Sequence, residues 1–141
     1  MENKHKIVLE WLSTYPELEQ YLFFNATREE LNNTSMNTVV SDTWETRYIR
    51  DKGIKNYNFA VTMMKYYDEG TNENNAEELF DVQKFMIWIE EQNKIKNFPI
   101  FEEGEVISVE NLQNIPDLAG ISEDEILVKY MFQIRLKYII I

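Results

Sequence analysis

The sequence contains no cysteine, one histidine, three prolines and four glycines. Without cysteine there can be no disulfide, no thiolate metal ligand and no cysteine nucleophile. With only four glycines, no segment of the sequence matches either common type of phosphate-binding loop. The single histidine, His5, lies at the frayed start of a predicted helix, so we expect a solvated side chain rather than a member of a Ser-His-Asp triad. The sequence therefore predicts no enzyme and no cofactor.

Basic residues are also few, with 14 Lys and Arg against 25 Asp and Glu and a net charge of −11. DNA phosphate repels a chain this acidic, which disfavours a conventional nucleic-acid-binding domain. No apolar run approaches the ~20 residues of a membrane span, and the first residues lack a signal-peptide core. A length of 141 residues is typical of one domain, 1–141. We expect one soluble domain, used inside the cell, with no membrane partner.

Residues 126–141 alternate between apolar and polar side chains, which predicts a strand with one buried face. At ~3.3 Å per residue this strand would run ~50 Å, whereas strands usually have ~5–6 residues. Such a strand either bends or projects past its own domain, and projection favours a role in assembly. Lys129, Arg135 and Lys137 lie on its polar face, where they could pair with acidic residues of a neighbouring subunit.

The remaining periodicity predicts two helices and three further strands. The helices are 4–15, with a further turn near 18–22, and 76–97; the strands are 43–50, 54–67 and 105–109; the polar or irregular segments are 25–42, 68–75 and 111–125. A turn at Asp51-Lys52-Gly53 joins the first two strands. This order predicts an α+β fold, a largely antiparallel sheet of four to five strands packed with two main helices.

Helix 76–97 is predicted to begin at a capping box made by Asn75 and Glu78. Its apolar arc is wider than the ~100° that one buried face requires. Beyond the main stripe, the arc includes Phe80, Phe85, Ile87 and Trp88. Deep burial of the whole helix is the favoured explanation. The alternative is that one side packs on the sheet and the other on a neighbouring chain, which makes Phe85 and Trp88 candidate interface residues.

Trp44, Arg47, Tyr48 and Arg50 lie on one predicted strand. Trp, Tyr and Arg are the residue types that concentrate in interface hot spots. A half-buried core strand explains them equally well. The candidate interface thus comprises these four residues together with Phe85, Trp88, Lys129, Arg135 and Lys137.

Segment 68–75 is rich in oxygen ligands, but it does not fit a calcium-binding loop. Such a loop needs Gly at its sixth position and Glu at its twelfth, where this chain has Glu73 and Leu79. The segment is therefore interpreted as a solvated loop, and the sequence predicts no metal site.

Several segments together resemble a known family. They are KIVLEWL, VVSDTWETRYIRDKGIKNYNFAV, LFDVQKFMIWIEEQNKIKNFP, LQNIPDLAGI and KYMFQIRLKY. In this order they are similar to the phage tail-terminator (tail-completion, or minor capsid) proteins of Gram-positive prophages. The resemblance implies a small α+β subunit that forms a hexameric ring on the tail tube, stops tube polymerisation and docks the head–tail connector protein. It implies assembly in the bacterial cytoplasm, a final place in the virion tail or a phage-tail-like particle, and no active site.

The residue patterns agree with this role. A ring uses heterologous interfaces, in which one surface of a subunit meets a different surface of the next. In such a ring an acidic lumen would let DNA pass without specific binding. Two alternatives remain open: another head–tail joining protein (a stopper or adaptor), or a small acidic DNA-mimic binding module.

Overall fold

The fold consists of two helices and seven strands among the described residues. A computed structural model describes residues 1–18, 21–48, 50, 52–67, 72–124 and 126–141. The elements are α1 (Lys4–Leu12), β1 (Leu22–Phe24), β2 (Thr34–Thr38), β3 (Trp44–Arg47), β4 (Gly53–Tyr66), α2 (Asn72–Ile95), β5 (Glu105–Asn111), β6 (Asp117–Ile121) and β7 (Leu127–Ile140). The predicted α+β class is confirmed, and the sheet has more strands than the four to five expected.

Two long strands form the centre of the sheet, and short strands form its edges. The order is β1-β2-β4-β7-β5, with β3 also on β4 and β6 also on β7. β2 and β3 lie in succession along one side of β4, and β5 and β6 lie in succession along the far side of β7. Every pairing is antiparallel except that of β1 with β2. The central pair of strands is thus flanked on each side by two short strands in succession.

β4 and β7 pair without interruption from Gly53↔Ile140 to Tyr66↔Leu127. β7 has 14 residues, and alternate positions are buried, which confirms the predicted period of two. At ~3.3 Å per residue each strand spans ~46 Å. β7 does not project alone, because β4 has the same length and accompanies it throughout.

Both helices pack on one face of the sheet. The ring of Phe85 on α2 lies 5.7 Å from that of Phe132 on β7. On the neighbouring side of α2, Tyr15 stacks on Phe85 at 4.1 Å, and Trp11 of α1 lies 5.3 Å from Trp88. The N-terminal segment of the same chain therefore covers the part of the apolar arc of α2 that contains Phe85 and Trp88.

This packing corrects the expectation that Phe85 and Trp88 contact a neighbouring chain. Phe85 is fully buried and Trp88 is 9% exposed. Both are core residues: Phe85 packs between Tyr15 and Phe132 of β7, and Trp88 packs against Trp11 and Tyr15. The favoured alternative, a deeply buried helix, is correct for Phe85 and Trp88 but wrong for Phe80 and Ile87, which are 53% and 43% exposed.

α2 begins at Asn72, four residues before its predicted start, so the capping box at Asn75 and Glu78 was wrong. Glu73 lies in its first turn, where a negative charge is favoured by the helix dipole. The earlier part of the predicted loop, 68–71, lies outside the described residues, as does Asp51 of the predicted turn. Among the residues described, neither helix is long and apolar enough to cross a membrane.

Three strands fall where the sequence predicted a helical turn, a loop or irregular structure. They are β1, β2 and β6. β2 has the sequence TSMNT, and its polar positions are satisfied inside the fold: the amide of Asn37 donates to the hydroxyls of Thr62 at 2.9 Å and Ser35 at 3.2 Å. β-propensity depends on context, and here pairing with the central strands decides the outcome.

Candidate interaction surfaces

The β3–β4 hairpin carries an aromatic side chain with two cations against it. Lys55 Nζ lies 4.5 Å from the centre of the Trp44 ring, and the Arg47 guanidinium carbon lies 5.3 Å from it. Cation–π contacts at exposed sites contribute about 0.5–1 kcal/mol each. They give a partly buried tryptophan a defined position on an outer strand of the sheet.

Gly53 sets the shape of this hairpin. Its φ is +142°, and a Cβ at this position would lie 2.1 Å from the backbone oxygen of Thr46. The register shifts between Trp44 and Thr46, and the backbone N–H of Tyr48 donates to the carbonyl of Lys52 at 2.6 Å. Only glycine fits this close approach of the two strands.

The hairpin brings together four of the predicted interface residues and presents most of them to solvent. Arg47 and Arg50 are exposed, and Tyr48 is 56% exposed. Residues 44–55 contain four basic and two acidic residues, in a chain whose net charge is −11. We name residues 44–55 the basic hairpin; residues 49 and 51 lie outside the described part. Its composition is locally positive and aromatic.

The opposite edge of the sheet has the reverse character. No Lys or Arg occurs from residue 97 to residue 128, whereas eight Asp and Glu do. Six aliphatic side chains along this stretch are 40–55% exposed: Ile107, Leu112, Ile115, Leu118, Ile121 and Ile126. We name β5, β6 and the residues between and after them, 105–126, the acidic edge; residue 125 lies outside the described part.

α2 covers part of the backbone of the acidic edge. The side chain of Asn93 accepts a hydrogen bond from the backbone N–H of Val109 at 3.1 Å. The side-chain amide of Asn111 also holds β5 to the helix, donating to the backbone carbonyl of Met86 at 2.9 Å. Capping of an outer strand in this way discourages indiscriminate strand pairing. α2 thus occupies one backbone donor of this edge and holds β5 in place.

The three basic residues of β7 lie on the sheet face opposite the helices. Lys137 pairs with Glu45 at 3.1 Å and with Glu110 at 3.5 Å, and Arg135 Nε donates to the Asn58 side-chain oxygen at 3.4 Å. Lys129 lines a shallow groove with residues of β6. Lys137 and Arg135 therefore already have partners in their own chain, and the expected pairing with a neighbour's acids is not needed to satisfy them.

Ionisable side chains of β4 contact both helices: Lys65 pairs with Asp81 of α2, and Tyr57 pairs with His5 of α1. Lys65 pairs with Asp81 beside a small cavity of about 10 Å³, space for at most one water. His5, expected to be solvated, is exposed but hydrogen-bonded to the Tyr57 hydroxyl at 2.6 Å. Burial raises the pKa of Tyr57 to about 12. No group of three or more His, Asp or Glu side chains in the described part of the chain is placed to hold a metal ion.

The acidic edge is the surface that sequence reasoning missed. The available signal was the 32-residue stretch without a cation, but only the topology shows that β5 and β6 line one edge and β3 the other. Comparison with known protein families and with curated proteins gave no match. The two edges are therefore the main structural observations from which a function can be argued.

Proposed function

We propose that this chain is a structural phage-tail assembly protein, a tail-terminator-like subunit that forms a ring on the tail tube. The observation that carries the proposal is the difference between the two edges of one sheet, a basic aromatic hairpin on one side and an acidic aliphatic edge on the other. A closed ring of identical subunits needs two different, complementary surfaces on each subunit. The sequence resemblance to tail terminators supports the same role.

In this role the ring caps the tube, stops its polymerisation and offers its other side to the head–tail connector protein. A hexamer is the assembly that the resemblance implies. The acidic composition is compatible with DNA passage through the lumen, because a negatively charged wall repels phosphate.

A second candidate function is a DNA-mimic module that occupies a nucleic-acid-binding protein of the host. The observation that favours it is the stretch 97–128, with its eight acidic residues and no basic one. A mimic needs such a surface but does not need a basic hairpin on the opposite edge, which is why the ring subunit is preferred. A stopper or adaptor would share the assembly role but bind at a different level of the head–tail junction.

The test is incubation of the purified protein with tail tubes assembled from the tube protein of the same phage. Negative-stain microscopy should show rings at tube ends, and tubes should stop growing once the protein is added. An unrelated acidic protein of similar size and charge is the control. A protein that never associates with tubes overturns the proposal, and one that binds a DNA-binding protein in competition with DNA favours the mimic.

A further inference from the structure

We propose that the basic hairpin of one copy docks onto the acidic edge of the next copy. This inference rests on the proposed function, since it names the contact that would close the ring. The occupant of each surface is thus a second copy of this chain, and the contact is heterologous.

The topology places the two surfaces at opposite edges of the sheet, so among the described residues the basic hairpin of one copy does not contact the acidic edge of the same copy. β3 lies outside β4, while β5 and β6 lie outside β7, and β4 and β7 are neighbours at the centre of the sheet. The basic hairpin and the acidic edge therefore lie on opposite sides of the same sheet. Repetition of one rotation that brings the hairpin of one copy to the edge of the next generates a ring if the rotation closes.

Charge complementarity selects this pairing over the others. Two acidic edges repel each other, and so do two basic hairpins, whereas a hairpin and an edge attract. The net charge of −11 opposes any association of copies at long range. The locally positive basic hairpin would therefore allow two copies to associate, and it would favour one orientation.

The apolar groups of the two surfaces are complementary as well. Trp44 and Tyr48 are amphipathic aromatic side chains of the type that anchors interfaces. The acidic edge offers exposed aliphatic side chains, including Ile115 and Leu118, which are 53% and 55% exposed. An exposed apolar strip rimmed by charged residues is characteristic of a protein–protein contact.

Charge reversal with reciprocal rescue tests the contact. One variant carries Arg47→Glu and Arg50→Glu; the other carries Glu105→Lys and Asp117→Lys. All four side chains are exposed, so both variants should fold, which circular dichroism and thermal unfolding check. The matched control is Lys6→Glu with Lys84→Glu, on α1 and α2, which changes the net charge as much as the first variant but touches neither surface.

Analytical ultracentrifugation across a concentration series measures the association. Each variant alone should raise the dissociation constant about tenfold or more, because like charges then face each other. The equimolar mixture of the two variants should return to within about threefold of the wild-type value, because alternating copies restore opposite charges at every contact. The control variant should associate like the wild type.

Charge reversal is preferable to a salt titration. Salt weakens the local attraction, but it also weakens the long-range repulsion between acidic copies, so the two effects oppose each other. Reciprocal rescue changes only the local term, since the mixture has the same average charge as the wild type.

The inference is overturned if the wild-type protein stays monomeric at every concentration, if either variant associates as well as the wild type, or if the mixture of folded variants does not recover. The outcomes separate it from the proposed function. Rings on tail tubes that are insensitive to these substitutions retain the function and overturn this contact. Charge-dependent association without binding to tubes retains the contact and overturns the function.

Discussion

Lys65 on β4 and Asp81 on α2 form an ion pair that joins the sheet to the helical layer. The side chain of Lys65 is 2% exposed, whereas that of Asp81 is 37% exposed. The same ammonium donates to the side-chain oxygen of Asn32 at 3.2 Å. Removal of the carboxylate leaves the buried ammonium unpaired, and this lowers the stability by more than the intact ion pair contributes.

We therefore expect Asp81→Asn to lower the free energy of unfolding by about 3 kcal/mol. Replacement of both partners, Lys65→Met with Asp81→Asn, should cost less than the single change. Urea unfolding measures the difference. The exposed Glu77→Gln on the same helix is the control and should change stability by less than about 0.5 kcal/mol. Equal losses in the single and double variants would contradict the assignment.

Phe85 should behave as a core residue. Phe85→Ala removes a fully buried ring that contacts Tyr15 and Phe132, so we expect a loss of about 3–5 kcal/mol. Phe80→Ala, on the same helix and 53% exposed, should cost much less. Chemical denaturation measures both. A stable Phe85→Ala variant that fails only in assembly would instead return Phe85 to an interface role.

Tyr57 should make the fold sensitive to alkaline pH. Burial raises its pKa from 10.0 to about 12 in the folded state, so the folded state favours the neutral phenol over the phenolate. This contribution is fully present below pH ~10 and is lost as the pH rises through ~12. Urea unfolding at successive pH values, together with phenolate absorbance, should show a smaller alkaline decline for Tyr57→Phe than for the wild type.

Tyr57→Phe should also be less stable at neutral pH, because it loses the hydrogen bond with His5. Burial raises the pKa of Tyr130 and Tyr138 too, so the variant should retain part of the alkaline decline. Identical declines in the wild type and the variant would show that Tyr57 contributes nothing to it.

Gly53→Ala should open the basic hairpin. The positive φ and the 2.1 Å approach of a Cβ to the Thr46 oxygen make this position strained for any other residue. We expect a local cost of about 1–3 kcal/mol, seen as faster hydrogen exchange of the β3 amides. Gly120→Ala is the control, because a Cβ there would lie 3.8 Å from the nearest side-chain atom. Equal protection of the β3 amides in both variants would contradict this view.

Much of the fold followed from hydrophobic periodicity, because burial on one face imposes it directly. β7 is the clearest case, since Phe132, Ile134 and Leu136 repeat at every second position and all are fully buried. β2 was missed because its burial is achieved with polar side chains and hydrogen bonds, which leave no apolar alternation in the sequence.

The candidate surfaces were predictable only in part. Arg47 and Tyr48 could be grouped because they are adjacent in the sequence, although β3 itself ends at Arg47. The acidic edge depends on which strand lies outermost, and that is set by long-range pairing. Trp88 was assigned to both the core and an interface because periodicity shows how wide an apolar arc is but not which chain covers it. In the structure Trp11 of the same chain does so.

The long ladder between β4 and β7 also bears on how the chain reaches its native state. Gly53 pairs with Ile140 and Tyr66 with Leu127, so every one of these pairs joins residues more than sixty positions apart. Closure of such large loops slows folding. β7 is central in the sheet but follows every other strand in sequence, so β4, β5 and β6 have no partner on that side until β7 has been synthesised. The tertiary structure should therefore form only after β7 has been synthesised, and then in one cooperative step. Until then the unpaired strands of the nascent chain are exposed to aggregation.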